Sequence, residues 1–169
     1  MLGTQKHTSA NTSINKTRLP KAFTDFKTFG HVLDLGCGKY TQHINDYCRD
    51  NGALSYNPCD KYNQPDDVNR KTLNFGRVHG FDTIFICNVL NVIDSEIEIE
   101  NIVNLAWSML RPFGKIIIQI YEGDRSYEGK VTKKDCYQRN EPTEEYLNYC
   151  YFSDCNVYKR SNYIIIERR

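Results

Sequence analysis

From position 30 to the end of the chain, short apolar runs alternate with stretches whose apolar positions recur every three or four residues. That alternation is how a parallel sheet with crossover helices appears in sequence. Residues 31–35 are the first expected strand. A helix follows over 40–50, with Ile44, Tyr47 and Cys48 on one stripe and Asn51-Gly52 as its stop. Residues 53–56 read as a second strand ended by Asn57-Pro58, and the polar stretch 59–80 leaves room only for a third strand near 71–73. Residues 81–87 form a continuous β-branched and aromatic run, suited to a strand buried on both faces. Ser95 can cap a helix reaching about 110, because Glu96 and Glu98 complement its N-terminal end and Ile99, Ile102, Val103 and Ala106 keep helical spacing. Arg111-Pro112-Phe113-Gly114 stops it before a strand over 115–121. The tail reads as a short helix near 143–151 and a hairpin, 153–159 with 163–167, turning at Arg160-Ser161-Asn162.

Residues 1–19 are mainly Thr, Ser, Asn, Gln and Lys and read as a flexible arm, leaving 20–169 as a single domain. Phe23, Phe26 and Phe29 recur every three residues, an apolar helix face destined for the core. A net charge of +1, from 22 basic and 21 acidic side chains, gives no global field for nucleic acid or membrane, so a large nucleic-acid footprint is not expected. The seven cysteines are odd in number and hold no C-x-x-C pair, against both a disulfide framework and a zinc ribbon. The four histidines have no metal-ligand spacing, so no metal is expected. With no apolar run of the roughly 20 residues that span a bilayer and no signal-peptide stretch, the expectation is a cytoplasmic protein with reduced thiols, a monomer or weak dimer.

The informative stretch is Val32-Leu33-Asp34-Leu35-Gly36-Cys37-Gly38, a strand running into two glycines and then a helix. Glycines there let backbone approach a ligand, and the helix offers unpaired N–H groups and a positive dipole end. A dinucleotide fingerprint needs a third glycine at position 41, which is Thr, and Asp34 just before the loop suits a positively charged group rather than a pyrophosphate. The phosphate-loop spacing is absent as well.

This stretch resembles the first motif of the class I S-adenosylmethionine-dependent methyltransferases. Phe81-Asp82-Thr83-Ile84 with Asn88-Val89-Leu90-Asn91 resembles their fourth-strand segment, and Pro112 and Gly114 before a strand match in order and spacing. The resemblance covers about residues 30–120. It implies an α/β, Rossmann-like methyltransferase fold: a mostly parallel seven-stranded sheet, a C-terminal antiparallel hairpin and helices on both faces. It departs from the family at Tyr40, where many members have a third glycine, and at Asn57, where an acidic residue ends the second strand. Carried over residue by residue, it implies S-adenosylmethionine as cofactor, with Asp34, Gly36, Cys37 and Gly38 facing its methionine part. It also implies Asn57 at the ribose with Asp60 as fallback, Leu73 at the adenine, and Asn88 and Val89 near the cofactor's amino group.

Chemistry in an open α/β sheet gathers beyond the carboxyl ends of the strands. There the sequence reads Tyr121-Glu122-Gly123-Asp124-Arg125-Ser126-Tyr127, followed by a run with Lys133, Lys134, Tyr137 and Arg139. A loop of about twenty residues over 122–142 is long enough to carry function. Glu122 and Asp124 are the candidate bases or substrate anchors, and Tyr121, Arg125 and Tyr127 the candidate substrate contacts. The acceptor is left open among a small molecule, a protein side chain and an exposed RNA base. The alternative reading is a non-catalytic protein of this fold that binds the cofactor or a protein partner in a regulatory role.

Overall fold

The computed structural model describes residues 16–133 and 136–169, apart from the Lys133 side chain. Residues 1–15 of the expected arm, and Lys134 of the basic run, lie outside the described residues. The element order is α1 (Lys21–Asp25), β1 (Gly30–Leu35), α2 (Gln42–Asp50), β2 (Ala53–Cys59), α3 (Asp66–His79), β3 (Phe81–Cys87), α4 (Glu96–Ser108) and β4 (Leu110–Gln119). It continues with β5 (Lys130–Lys133), β6 (Cys136–Gln138), β7 (Cys155–Arg160) and β8 (Tyr163–Arg168). Single 3-10 segments lie at Leu90–Val92 and Thr143–Tyr149.

The main sheet has six strands in the order β2-β1-β3-β4-β8-β7, and β5 and β6 form a separate two-stranded ribbon. Pairings among β2, β1, β3 and β4 are parallel, and β8 lies antiparallel between β4 and β7. Successive side chains of the central strands bury on opposite faces, as strand geometry requires. Leu33, Ile84, Ile86, Ile116 and Ile118 join a core with α4 residues Ile99, Val103 and Ala106, whereas Val32, Phe85, Ile117 and Ile165 meet Phe23, Ile44 and Cys48 of α1 and α2. Runs such as Ile116-Ile117-Ile118 therefore feed both layers. Burial of each such side chain is worth about 1.5–3 kcal/mol.

Three expectations are corrected. The sheet has six strands, not seven, because residues 71–73 belong to α3. Pro65 precedes that helix, Asp66 and Asp67 occupy its positive first turn, and Lys71 pairs with Asp67 one turn away at 3.7 Å. Its apolar stripe is narrow: Leu73 and Phe75 reach the core, and Gly76 lies so close to Met109 and Phe81 that an added Cβ would fall 2.6 Å from each. Among the described residues no further strand lies beside it, so β2 is the edge of the sheet, which explains the second correction. The strand runs through Asn57-Pro58 to Cys59, because an edge position can lack the N–H that proline removes. Third, the stretch 122–142 is not a bare loop but carries the β5/β6 ribbon.

The Ser95 cap is present, its hydroxyl accepting from Glu98 N at 3.4 Å. The phenylalanine repeat is divided. Phe23 stacks on Phe85 at 4.0 Å and Phe26 meets Tyr163 edge-on at 5.0 Å, while Phe29 stays 37% exposed.

Candidate functional site

A cleft of about 1040 Å³ opens at the carboxyl ends of β1, β2, β3 and β4. Its floor is the turn after β1. Gly36 and Gly38 have φ of +84° and +75°, values that glycine adopts without penalty. At Gly36 space is decisive too, because a Cβ would sit 2.3 Å from Val89 Cγ2. Gly36 N and Cys37 N donate to Cys59 O at 2.7 and 3.3 Å, tying the turn to the end of β2. Gly38 N donates to Asp60 Oδ2 at 2.9 Å, and Gln64 Nε2 to Gly38 O at 2.7 Å. Asp60 Oδ1 in turn accepts Tyr62 N and Asn63 N at 2.9 Å each and Asn63 Nδ2 at 3.1 Å.

Asp34 borders the cleft yet is only 2% exposed. Burial raises its carboxyl from 3.8 to about 7, against the Tyr56 hydroxyl that donates to Oδ2 at 2.8 Å, with the Asp60 charge adding to the rise. The carboxylate is thus poised to ionise when a cation arrives. The neighbouring thiols are disfavoured as thiolates: burial and the Asp34 and Asp60 charges hold Cys37 far above its ordinary value, and burial pushes Cys59 up to about 12. All seven cysteines are unpaired. Among the described residues no group of three His, Cys, Asp or Glu side chains could hold a metal ion, and no helix is long and apolar enough to cross a membrane.

Of the cofactor residues drawn from the sequence, Asp34, Gly36, Cys37, Gly38, Asn88 and Val89 all line the cleft. Asn88, at φ +56°, turns the chain out of β3 while its N–H donates to Gln119 O at 2.8 Å. Asn57 does not line it. Its amide donates to Val32 O at 3.0 Å and Ser55 Oγ at 2.8 Å, inside the β1/β2 pair. Because β2 continues past it, the side chain at the strand's carboxyl end is Asp60, which does border the cleft. Leu73 packs against the core from α3, away from the cleft.

The substrate candidates divide more sharply. Tyr121 lines the cleft, whereas Glu122, Asp124, Arg125 and Tyr127 do not. Glu122 Oε1 accepts both Thr143 N at 2.8 Å and Thr143 Oγ1 at 2.6 Å, closing the start of the 3-10 helix Thr143–Tyr149. Asp124 accepts Ser126 N at 3.0 Å and Lys130 Nζ at 2.9 Å, and these partners hold its carboxyl down at about 2. Arg125 pairs with Glu122 at 3.7 Å, and the Tyr127 hydroxyl donates to Glu145 at 3.3 Å. These contacts tie the chain after β4 to the 3-10 helix Thr143–Tyr149 and to the start of β5. Arg139, also in the basic run, is buried against Glu141 at 2.8 Å and Ile93 O at 3.3 Å.

Cleft residues that the motif reading passed over are Tyr62 and Asn63 after β2, and Arg18, Lys21 and His43 on the α1 side, while Tyr137 of the basic-aromatic run does line the cleft. A short-range signal existed for the first two. Asp60 followed two and three residues later by Tyr62 and Asn63 is an Asp-led turn, and such a turn directly after a strand lies at the ligand-binding end of the sheet. Nothing local marks Arg18 or His43, which reach the cleft by tertiary packing.

No family model matches the chain, and no curated protein matches it. Solved structures do. A sugar N-methyltransferase from Streptoalloteichus sp. superimposes with a TM-score of 0.57 at 11% identity, over 82% of this chain and 80% of that one. An S-adenosylmethionine-bound amino pentose methyltransferase from Micromonospora echinaspora gives 0.56 at 11% identity, over 83% of this chain and 84% of that one. The chain has the class I S-adenosylmethionine-dependent methyltransferase fold. An O-methyltransferase family protein from Burkholderia thailandensis is also similar, with a TM-score of 0.53 at 15% identity over 82% of this chain, which spans only 50% of that protein's length. In the methyltransferase fold found here, the cleft lies where an open α/β sheet binds its ligands, beyond the carboxyl ends of the parallel strands.

Proposed function

We propose that the chain is an S-adenosylmethionine-dependent methyltransferase that binds its cofactor in this cleft. The observation that carries the reading is a buried carboxyl, Asp34, held beside a glycine turn at the end of β1 with its proton poised to leave near neutrality. A fixed cationic amino group is the ligand chemistry that such a carboxyl stabilises most.

The residues present suit the rest of the molecule. Of the two oxygens of Asp60, Oδ1 accepts from Tyr62 N, Asn63 N and Asn63 Nδ2 and Oδ2 from Gly38 N, and Oδ2 is the oxygen suited to accept a ribose hydroxyl as well. Asn63 Oδ1 is buried without a hydrogen-bond donor among the described residues, an acceptor suited to an adenine amino group. Asp60 takes the ribose role in place of Asn57, and Asn63 with Tyr62 the adenine role in place of Leu73. Asn88 and Val89 flank the amino-acid end. The Micromonospora echinaspora structure with S-adenosylmethionine bound supports this cofactor for the fold.

The cofactor supplies an electrophilic methyl group on sulfur. An acceptor lone pair forms the new bond to carbon as the carbon–sulfur pair returns to sulfur, and any acceptor proton passes to solvent or to a base. The chain's task in such a displacement is alignment. Glu122 and Asp124 drop out as bases, since neither lines the cleft.

Titration calorimetry with S-adenosylmethionine and S-adenosylhomocysteine tests the reading, and absence of heat with both rejects it. Incubation with methyl-labelled cofactor in a cell extract then identifies the acceptor. Binding without any labelled product would favour the non-catalytic role.

A further inference from the structure

We infer that the methyl acceptor is a small anion, bearing a carboxylate or phosphate, that docks on the α1 side of the cleft through the guanidinium of Arg18. The inference rests on the cofactor reading above and extends it to the second substrate.

The cleft, at about 1040 Å³, reaches the upper end of the roughly 300–1,000 Å³ usual for a single ligand, so a second molecule can lie beside the first. Its three acidic groups are Asp34, Asp60 and Glu98, of which Asp34 shares the α1 and α2 face of the sheet with Val32. Asp34 and Asp60 belong to the proposed cofactor cradle, and Glu98 stands at the start of α4, on the opposite face of the sheet from α1. The α1 side also carries Arg18 and Lys21 on the chain entering α1 and His43 on α2. Lys21 has a partner in Asp25 at 3.8 Å. Arg18 pairs with no carboxylate among the described residues.

The backbone carrying Arg18 is held in place. His43 Nε2 lies 3.3 Å from Arg18 O, Ala22 N donates to Gln119 Oε1 at 2.9 Å, and Phe23 is stacked on Phe85 at 4.0 Å. Arg18 is an exposed residue bordering the cleft, and a guanidinium there gains most from a planar or tetrahedral oxyanion, which its fork of N–H groups matches two at a time. Tyr40 and Tyr121 border the same cleft and add aromatic surface for the body of such an acceptor. The Tyr40 ring already has two ammonium groups near it, Lys16 at 5.7 Å and Lys39 at 5.9 Å, which deepens the positive potential at that edge.

The test uses the full chain saturated with S-adenosylhomocysteine and four probes of similar size: benzoate, phenyl phosphate, benzyl alcohol and benzylamine. At least one of the two anions is expected to bind about tenfold or more tightly than the alcohol and the amine, and comparison of benzoate with phenyl phosphate tells carboxylate from phosphate. Arg18→Gln is expected to abolish that advantage while S-adenosylhomocysteine binds as before. Equal binding of all four probes, tightest binding of benzylamine, or no binding of either anion overturns the inference and leaves the cofactor reading standing. If Arg18→Gln weakens S-adenosylhomocysteine but not 5′-methylthioadenosine, which lacks the amino-acid part, Arg18 serves the cofactor's own carboxylate and the inference falls. Absence of any S-adenosylhomocysteine binding rejects both readings together.

Discussion

Replacing Asp34 by asparagine should make the ligand-free protein more stable, by an amount that depends on pH in a calculable way. The carboxyl is 2% exposed, and burial raises it from 3.8 to about 7. Each tenfold change in a proton equilibrium is worth about 1.4 kcal/mol, so the rise amounts to about 4 kcal/mol. Below pH 3.8 the group is neutral in the folded and the unfolded chain, and it costs nothing. Between 3.8 and about 7 only the unfolded chain gives up the proton, so stability falls steadily as pH rises. Above about 7 both states are ionised and the full cost is felt.

The penalty relative to an uncharged isostere is then about 1.7 kcal/mol at pH 5 and about 4 kcal/mol at pH 8. An amide still accepts the Tyr56 hydroxyl bond, and whatever its NH2 group costs is the same at both pH values. The pH-dependent part of the gain, about 2.5 kcal/mol, is therefore independent of that cost. Urea unfolding followed by the fluorescence of Trp107, the single tryptophan, measures it in wild type and in Asp34→Asn at pH 5 and 8. Trp107 suits the purpose because it stacks on Phe152 at 4.5 Å in the native state. A stability difference that stays constant between the two pH values would refute the placement of a buried, proton-holding carboxyl at the end of β1.

The same carboxyl predicts ligand linkage: S-adenosylhomocysteine should bind about tenfold more weakly at pH 6 than at pH 8, because Asp34 must lose a proton to meet the ammonium group, and Asp34→Asn should flatten this dependence in calorimetry. Gly36→Ala should cost about 1–3 kcal/mol in urea unfolding and abolish cofactor binding, since it combines a φ of +84° with a methyl group 2.3 Å from Val89; near-normal binding would show that the turn is not the floor of the site. Glu122→Ala should leave cofactor affinity unchanged while lowering stability by about 1–2 kcal/mol, because Thr143 N and Oγ1 lose their acceptor. Loss of methyl transfer at full stability would instead restore Glu122 to the chemistry.

How far the site could be read beforehand depended on how local its determinants are. Asp34, Gly36 and Gly38 were legible because strand, turn and helix start are consecutive in the chain and a backbone turn of positive φ demands glycine. Asn57 lies off the cleft for a reason that also lies outside its own neighbourhood. Proline ends a central strand but not an edge strand, and whether β2 is an edge depends on whether another strand pairs beside it. Leu73 followed from the same assumption of a third strand, where the chain places the helix α3. Glu122, Asp124, Arg125 and Tyr127 sit just beyond the end of β4, as expected, yet their side chains are spent on Thr143, Lys130, Glu122 and Glu145. Partners 18 or more positions away, such as Thr143 and Glu145, cannot be seen in a local pattern.

The sequence by itself determined the alternating α/β order, the central apolar strands, the Ser95 helix cap and the glycine turn with its acidic neighbour, all of which follow from periodicity or from the geometry of adjacent residues. Tertiary structure alone decided that the sheet has six strands among the described residues, that Asp60 stands at the end of β2, and that Arg18, Lys21 and His43 border the cleft together. It also decided that Asp34 holds its proton to about pH 7, because a carboxyl's ionisation is set by the water and charge around it, and those come from segments far apart in the chain.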